Sequence, residues 1–477
     1  MTRLHTRTPT ALAALLLAFA APLAANTPPP PSLAQRADMA LAHDDHAYAF
    51  IEGLTTEVGP RQAGTEAEAR ARAWAAAWLR QHGFANVAIE PFMMDTWVPG
   101  DIARARVTAP FAQDLVLLPL GNSAATPAGG IEAEVVFFPS LDALRAAPEG
   151  SLKGKIAYIS HQMRPSQDGS HYGFAGPVRW VGPGIAASKG AIGAVIKSIG
   201  TDHHRNPHTG GTSFPPGVAA IPAAALSLPD AENLERMFAR AAGQPIRLRL
   251  ELNPRQLGQT ESGNVVGEIP GTNPLLPPVL LACHLDSWWN APGAFDDAAG
   301  CGIIIAAARH VAAAGQPLRT IRVLLAGAEE TGLWGSRAYS AAHLAEPIAV
   351  GLESDFGADR IWRIETNFRE SNPALHQRLA AAVARFGVAA GSDPATGGAD
   401  LNIVRDQKGA LVDLQQDGTR YFDLHHTPDD TLDKIDLVQL RQNVAVWTEV
   451  VGILANESTA ILTGAPVPSA PPIMEQR

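Results

Sequence analysis

Three apolar runs in the second half of the chain each end at acids or a histidine, with helical stretches between them. Residues 278–283 stop at His284, residues 320–327 lead into Glu329-Glu330, and residues 348–352 give way to Asp355. The spacing predicts helices over 298–314, 334–344 and 372–387. Short apolar runs alternating with helices call for an α/β fold, a mostly parallel sheet flanked by helices on both faces. Strand ends line the binding crevice of such a sheet, which gives residues that are costly to bury a reason to stand there.

Five groups of potential metal ligands follow in order: His284 with Asp286, Asp296-Asp297, Glu329-Glu330, Asp355, and His425-His426 before Thr427. Carboxylate and imidazole together suit a borderline divalent ion such as zinc, and a bridging carboxylate holds two such ions about 3.5–4 Å apart. The order reads as a two-metal hydrolase site with one of the adjacent glutamates free to act as a base. His284 and Asp286 stand two apart in an extended segment and share a face. This makes His284 a ligand and Asp286 the acceptor that orients its imidazole.

These residues resemble the co-catalytic zinc exopeptidases, the family of bacterial leucyl aminopeptidase, and within it the carboxypeptidase Q branch. The resemblance starts near Val58-Gly59-Pro60-Arg61 and runs through Leu152-Lys153-Gly154-Lys155, Gly190-Ala191-Ile192-Gly193 and His284-Leu285-Asp286-Ser287-Trp288. It continues to Glu353-Ser354-Asp355, Gly398-Ala399-Asp400 and His425-His426. It implies the zinc exopeptidase fold and two Zn2+ per chain, with Co2+ or Mn2+ as possible substitutes. On that pattern Asp296 bridges the metals, Asp355 joins His284 on one, and Glu330 and His426 hold the other. Glu329 is then the general base, and Asp297 caps the next helix or supports the site.

His425 stands where simpler aminopeptidases of this family often carry a tyrosine, and the carboxypeptidase Q branch has the same double histidine. It is a candidate oxyanion donor or a packing residue, with Tyr421 as a nearby alternative donor. The implied reaction is attack by a metal-activated hydroxide on a peptide carbonyl, without a covalent intermediate. The implied substrates are dipeptides or short peptides with a free N-terminus; a broad-specificity N-terminal aminopeptidase is the alternative. Relatives form homodimers, so a homodimer is expected. Two relatives depart from the chemistry: transferrin receptor keeps the architecture without catalysis, and glutaminyl cyclases work with a single zinc. The complete ligand set argues against both.

Residues 1–25 have the layout of a secretory signal peptide, with Arg3 and Arg7 before the apolar run 11–21 and small residues before Asn26. That run is too short for a bilayer, which needs roughly 20 residues. A secreted or periplasmic protein is expected. The remainder divides into 26–102, the N-terminal part of the peptidase domain; 103–244, a β-rich protease-associated insert; 245–460, the zinc peptidase core; and 461–477, a Pro-rich flexible tail. A net charge of -10 argues against nucleic-acid or anionic-membrane partners.

Weaker signals carry two readings each. Cys283 and Cys301 are the two cysteines of the chain, expected as buried thiols although a bridge is conceivable. Trp288 and Trp289 either wall a pocket or pack, and Asp400 either faces substrate or is structural. His203, His204 and His208 read as a solvated loop rather than a metal site, and Lys189 as a surface residue. Gly182-Pro183-Gly184 lacks the third glycine of a nucleotide fingerprint.

Overall fold

Strand Val279–His284 is buried at every position, as its sequence VLLACH demands of a central strand covered on both faces. The computed structural model describes residues 1–2 and 30–463, so the expected signal peptide, and the tail beyond residue 463, lie outside the described residues. Around Val279–His284 a five-stranded sheet runs in the order Ala85–Val98, Arg255–Ile269, Ile321–Ala326, Val279–His284, Val350–Glu353. The last two junctions are parallel and the first two antiparallel. The sheet is therefore mixed, which corrects the expectation of a mostly parallel one. The cause is a long two-stranded ribbon in which Ala85 pairs with Glu268 and Val98 with Arg255. A parallel bridge from Gly351 to Leu411 leads on to a three-stranded sheet of Ala389–Ala390, Ile361–Thr366 and Val412–Gln416.

The helices form where the sequence places them. Thr65 caps Glu66–Gln81 by accepting from the Glu68 N–H, and Asp436 caps the closing helix Leu437–Ala455 in the same way. Helix Ala299–Ala314, rich in Ala and Ile, packs against the sheet and Leu437–Ala455 in one continuous apolar core with Ile304, Leu281, Val323 and Trp447. The stretch Ala294–Ala314 has the length and hydropathy of a membrane span, yet most of it is buried within this core. Cys283 at the strand end and Cys301 in the helix are bonded to each other as a disulfide with Cα atoms 5.2 Å apart. This replaces the expected pair of thiols.

Because Val98 and Arg255 face each other, everything between them extends from the end of the ribbon. This region carries an eight-stranded sheet ordered Gln113–Leu115, Ala103–Ala109, Arg247–Leu252, Ile131–Phe138, Ile156–Ile159, Gly193–Lys197, Ala223–Leu226, Leu117–Pro119. The sheet takes in Arg247–Leu252, beyond the boundary at 244 expected from composition. Its faces bury separate cores, one around Val107, Tyr158 and Leu234, the other around Leu144, Ile159 and Ile196. Lys189 is buried here, its ammonium donating to the Ala147 carbonyl and pairing with Glu149 at 3.0 Å. A charged end that finds two acceptors explains why it is not the surface residue expected.

Candidate metal centre and catalytic site

Asp296 stands at the middle of the site and presents its two oxygens to different partners. Oδ1 lies 3.0 Å from His284 Nε2, which is itself 3.4 Å from Asp355 Oδ1. Oδ2 lies 3.5 Å from His426 Nε2, which is 2.6 Å from Glu330 Oε2. Strand ends explain the convergence: His284 closes Val279–His284, Glu329 and Glu330 follow Ile321–Ala326, and Asp355 follows Val350–Glu353. The two histidines follow the short helix Tyr421–Leu424, and His426 takes φ +58°.

Each position has a local reason. Asp430 fixes the Asp296 backbone, accepting from the Phe295 N–H at 2.6 Å and the Asp296 N–H at 3.1 Å. The Asp296–Asp297 peptide is cis. Asp297 does both things considered for it: Oδ1 accepts from the Gly300 N–H in the first turn of Ala299–Ala314, and Oδ2 accepts from the His284 N–H. Gly300 is required there, since a Cβ would fall 1.9 Å from the Ser354 carbonyl oxygen. Arg61 is fully buried and donates to the carbonyls of Leu285, Pro292 and Gly293, holding the loop between His284 and Asp296.

Asp286 orients His284 differently from the expectation. The nearest partner of His284 Nδ1 is the backbone carbonyl of Asp286 at 3.1 Å, with the carboxylate Oδ1 at 3.7 Å. That carboxylate accepts instead from the Glu329 N–H at 3.1 Å. It therefore braces the segment carrying the two glutamates. The Glu329 side chain lines the cavity beside Glu330.

The electrostatics are those of a concentrated negative charge. Burial, reinforced by the neighbouring acids, pushes the Glu329 and Glu330 carboxyls well above the ordinary range. Asp297 is pushed up in the same way. Burial lowers His426 to about 3 and holds His425 well below its usual value. His284 goes the other way: burial opposes its charge, but Asp355, Asp286 and Asp296 outweigh that and lift it. Glu330 Oε1 and Asp286 Oδ2 have no hydrogen-bond partner although both are buried. Buried, unsatisfied carboxylate oxygens around two imidazoles are a donor set that suits divalent cations of the zinc type, which neutralise such charge. The residues present fit a metal.

Beside this cluster opens a cavity of about 430 Å³, lined by residues that include Glu329, Asp355, Gly398, Tyr172, Arg179 and His425. His425 stacks on His426 with ring centroids 3.7 Å apart, and its Nδ1 has no partner. Tyr421 lines the same cavity and contributes to holding the Asp296 carboxyl below its ordinary range. Trp288 is buried behind His426, stacked on it at 5.1 Å and donating to Thr209 Oγ1; it packs. Trp289 is half-buried. Asp400 is buried with neither carboxylate oxygen partnered, while its N–H donates to Glu353 Oε2 at 2.6 Å.

His203 and His204 are exposed, but His208 is wholly buried, which corrects its assignment to a solvated loop. Its Nε2 meets Asp202 Oδ1 at 2.6 Å and its Nδ1 meets the His425 carbonyl at 2.9 Å. His208, Tyr172 and Arg179 come from the inserted region, and no local pattern in the sequence marks them. The burial of Arg179, in the run Gly176-Pro177-Val178-Arg179-Trp180, becomes evident only in the fold.

Known proteins share this arrangement to different degrees. Residues 264–451 match the profile of Peptidase family M28. Carboxypeptidase Q of Bos taurus is 30% identical over 416 residues, covering 86% of this chain and 86% of that protein. The chain belongs to peptidase family M28. By that membership it is a metallo-exopeptidase. The crystal structure of a Peptidase M28 precursor from Shewanella amazonensis SB2B is 42% identical, with a TM-score of 0.86 over 92% of this chain and 98% of that one. BSAP, a zinc aminopeptidase from Bacillus subtilis, shares the fold at 21% identity and a TM-score of 0.62, covering 89% of this chain and 98% of that one.

Proposed function

We propose that the protein is an exported dinuclear zinc exopeptidase that hydrolyses dipeptides or short peptides with a free N-terminus. The observation that carries this reading is the division of Asp296 between two partner sets, Oδ1 towards His284 and Asp355, Oδ2 towards His426 and Glu330. One zinc would be held by His284, Asp355 and Asp296, the other by Asp296, Glu330 and His426; Co2+ or Mn2+ would serve in the same places. Bound zinc supplies Lewis acidity, polarising a carbonyl and acidifying a water.

The side chains of the chain do the rest. Glu329 lines the cavity without coordinating and takes the proton from the attacking water, then returns it to the leaving amine. Asp286 holds the backbone of that glutamate in place through its bond to the Glu329 N–H. His425 faces the cavity with an unpartnered Nδ1 and stabilises the developing oxyanion. Residues 103–252 are proposed as a protease-associated domain that closes one wall of the cavity. The layout of residues 1–25 supports export to the periplasm or outside, and the active form is proposed to be a homodimer.

The test is zinc content of the mature protein by elemental analysis, together with hydrolysis of dipeptides, longer peptides and an N-acetylated peptide before and after chelation. About two zinc ions per chain and restorable cleavage that needs the free amine are expected. Equal cleavage of long peptides would favour the broad aminopeptidase reading instead. Absence of zinc and of cleavage at any zinc loading would remove the hydrolase reading.

A further inference from the structure

The two histidines flanking Asp296 are oriented by different parts of the chain. His284 closes a core strand, and its Nδ1 donates to the Asp286 carbonyl at 3.1 Å, so the core alone turns its Nε2 towards Asp296 and Asp355. His426 lies in the turn after Tyr421–Leu424 at φ +58°, a conformation that is costly for a residue with a Cβ and persists only where the surroundings impose it. Its Nδ1 donates to the Thr209 carbonyl at 3.2 Å, and Thr209 belongs to the inserted region. A metal-bound imidazole needs such an acceptor on its other nitrogen to fix the tautomer and the plane of the ring. For His426 that acceptor comes from 217 positions away in the sequence.

Thr209 is wholly buried, and each of its polar atoms is engaged at this contact. Its carbonyl also accepts from Arg179 Nη1 at 2.9 Å, and its N–H donates to the His426 carbonyl at 3.4 Å. Its Oγ1 accepts from the indole N–H of Trp288, whose ring stacks on His426 at 5.1 Å. One residue therefore governs the edge of the His426 ring directly and its face through Trp288. Residues 201–208 grip the same loop on both sides of His426. The Thr201 N–H donates to the Phe422 carbonyl at 3.1 Å and its hydroxyl to Asp423 Oδ1 at 2.6 Å, while the Asn206 amide donates to Asp429 Oδ2 at 2.7 Å. The bond from the core to this residue, Asn290 Nδ2 to the His426 carbonyl at 2.9 Å, does not reach the ring.

Resting on the dinuclear zinc reading above, we propose that residues 201–209 of the inserted region set the affinity of the metal position formed by Glu330 and His426, with Thr209 as the positioning residue, and leave the position formed by His284 and Asp355 to the core. Thr209 acts through the His426 ring. With the Nδ1 proton bound to a fixed carbonyl, the lone pair of Nε2 faces Glu330 Oε2 at 2.6 Å and Asp296 Oδ2 at 3.5 Å. Without that bond the ring is free to rotate and to exchange tautomers, and ordering it then opposes binding of the ion. His284 has no such dependence. The two positions thus fill independently, and completion of the pair reports that the inserted region is seated on the core.

The test strips the whole chain of metal and titrates it with zinc against a chelator of known affinity, which resolves the two binding steps. Glu330→Gln labels the step that belongs to His426. Thr209→Val keeps the shape of the side chain but removes the acceptor of the Trp288 indole; Thr201→Val combined with Asn206→Ala loosens the grip on the loop from outside the cluster. In both, the His426 step should weaken by on the order of 10- to 100-fold while the other step is unchanged. Thr209→Ser, which retains the hydroxyl, should restore the wild-type titration, and the double variant secures the test if Thr209→Val does not fold. Equal weakening of both steps, or a His426 step unchanged in a folded variant, overturns the proposal. A wild type that takes up no second zinc would instead remove the dinuclear reading on which the proposal stands.

Discussion

His208 Nδ1 meets the carbonyl oxygen of His425 at 2.9 Å, across 217 positions of sequence. The contact joins the inserted region to the loop that carries two of the site histidines, and the other ring nitrogen of His208 satisfies the buried Asp202. Replacing His208 with Phe leaves Asp202 Oδ1 and the His425 carbonyl without their imidazole donor, while Oδ2 keeps the His204 N–H. A loss of about 2–3 kcal/mol is expected, read as a lower midpoint in denaturant unfolding. Unchanged stability would show that water replaces the imidazole at no cost.

Glu329 and Glu330 are neighbours with separate tasks, and their amides should separate them. Glu329→Gln is expected to keep its zinc and lose turnover by on the order of 10²- to 10⁴-fold. Glu330→Gln should lose zinc, because its Oε2 lies 2.6 Å from His426 Nε2 in the proposed shell. Elemental analysis of both variants alongside kcat decides the assignment, and a reversed pattern exchanges the two roles.

His425→Phe preserves a flat ring against His426 while removing the polar atoms. Turnover should fall by about 10²-fold with zinc content unchanged if His425 stabilises the oxyanion. Turnover equal to that of the wild type would make it a packing residue.

The residues of the candidate site stood out in the sequence because strand ends concentrate polar residues after apolar runs. His284, Glu329-Glu330 and Asp355 each follow such a run; His284 lies directly against Asp296, Asp355 reaches it through His284 and Glu330 through His426, while Glu329 lines the adjoining cavity. The ribbon pairing Ala85–Val98 with Arg255–Ile269 was not legible, since much of its first strand is exposed and carries no apolar run. For that reason the sheet was expected to be mostly parallel. Lys189 and His208 were misplaced for a related cause: each is buried by partners that local composition does not reveal, Ala147 with Glu149 in one case and Asp202 with His425 in the other. The disulfide belongs to the same class, because its spacing of 18 residues fixes neither pairing nor reduction.

That disulfide makes its own prediction. Closing a loop of 18 residues is worth about 3 kcal/mol through the unfolded chain, so Cys283→Ala combined with Cys301→Ala should unfold at correspondingly lower denaturant. A variant as stable as the parent would mean that native contacts of the helix already restrict the loop.

Glu68 supplies a pH dependence away from the metals. Its carboxylate pairs with Arg72 at 2.9 Å and accepts from Ser262 Oγ, yet burial raises its pKa to about 7, against 4.5 for the free side chain. The folded state thus binds this proton more tightly than the unfolded state. The contribution is complete below 4.5, declines as pH rises towards 7, and is absent above it. The stability of Glu68→Gln relative to the parent should accordingly improve by about 2–3 kcal/mol between pH 4.5 and 7. Parallel stability profiles for the two proteins would show that Glu68 keeps an ordinary pKa.

The opposition of Val98 and Arg255 at the end of the ribbon has an architectural consequence. A segment that leaves and rejoins the core at paired positions can be exchanged whole without shifting the register of any core strand. The same segment nevertheless brings the Thr209 carbonyl to His426 and the Arg179 side chain to the cavity. A transplanted segment would need to preserve the first contact to keep the hydrolytic centre in order. The second contact belongs to the cavity wall and not to the cluster around Asp296, so the exchangeable segment carries part of the pocket while the acid and histidine cluster stays with the core.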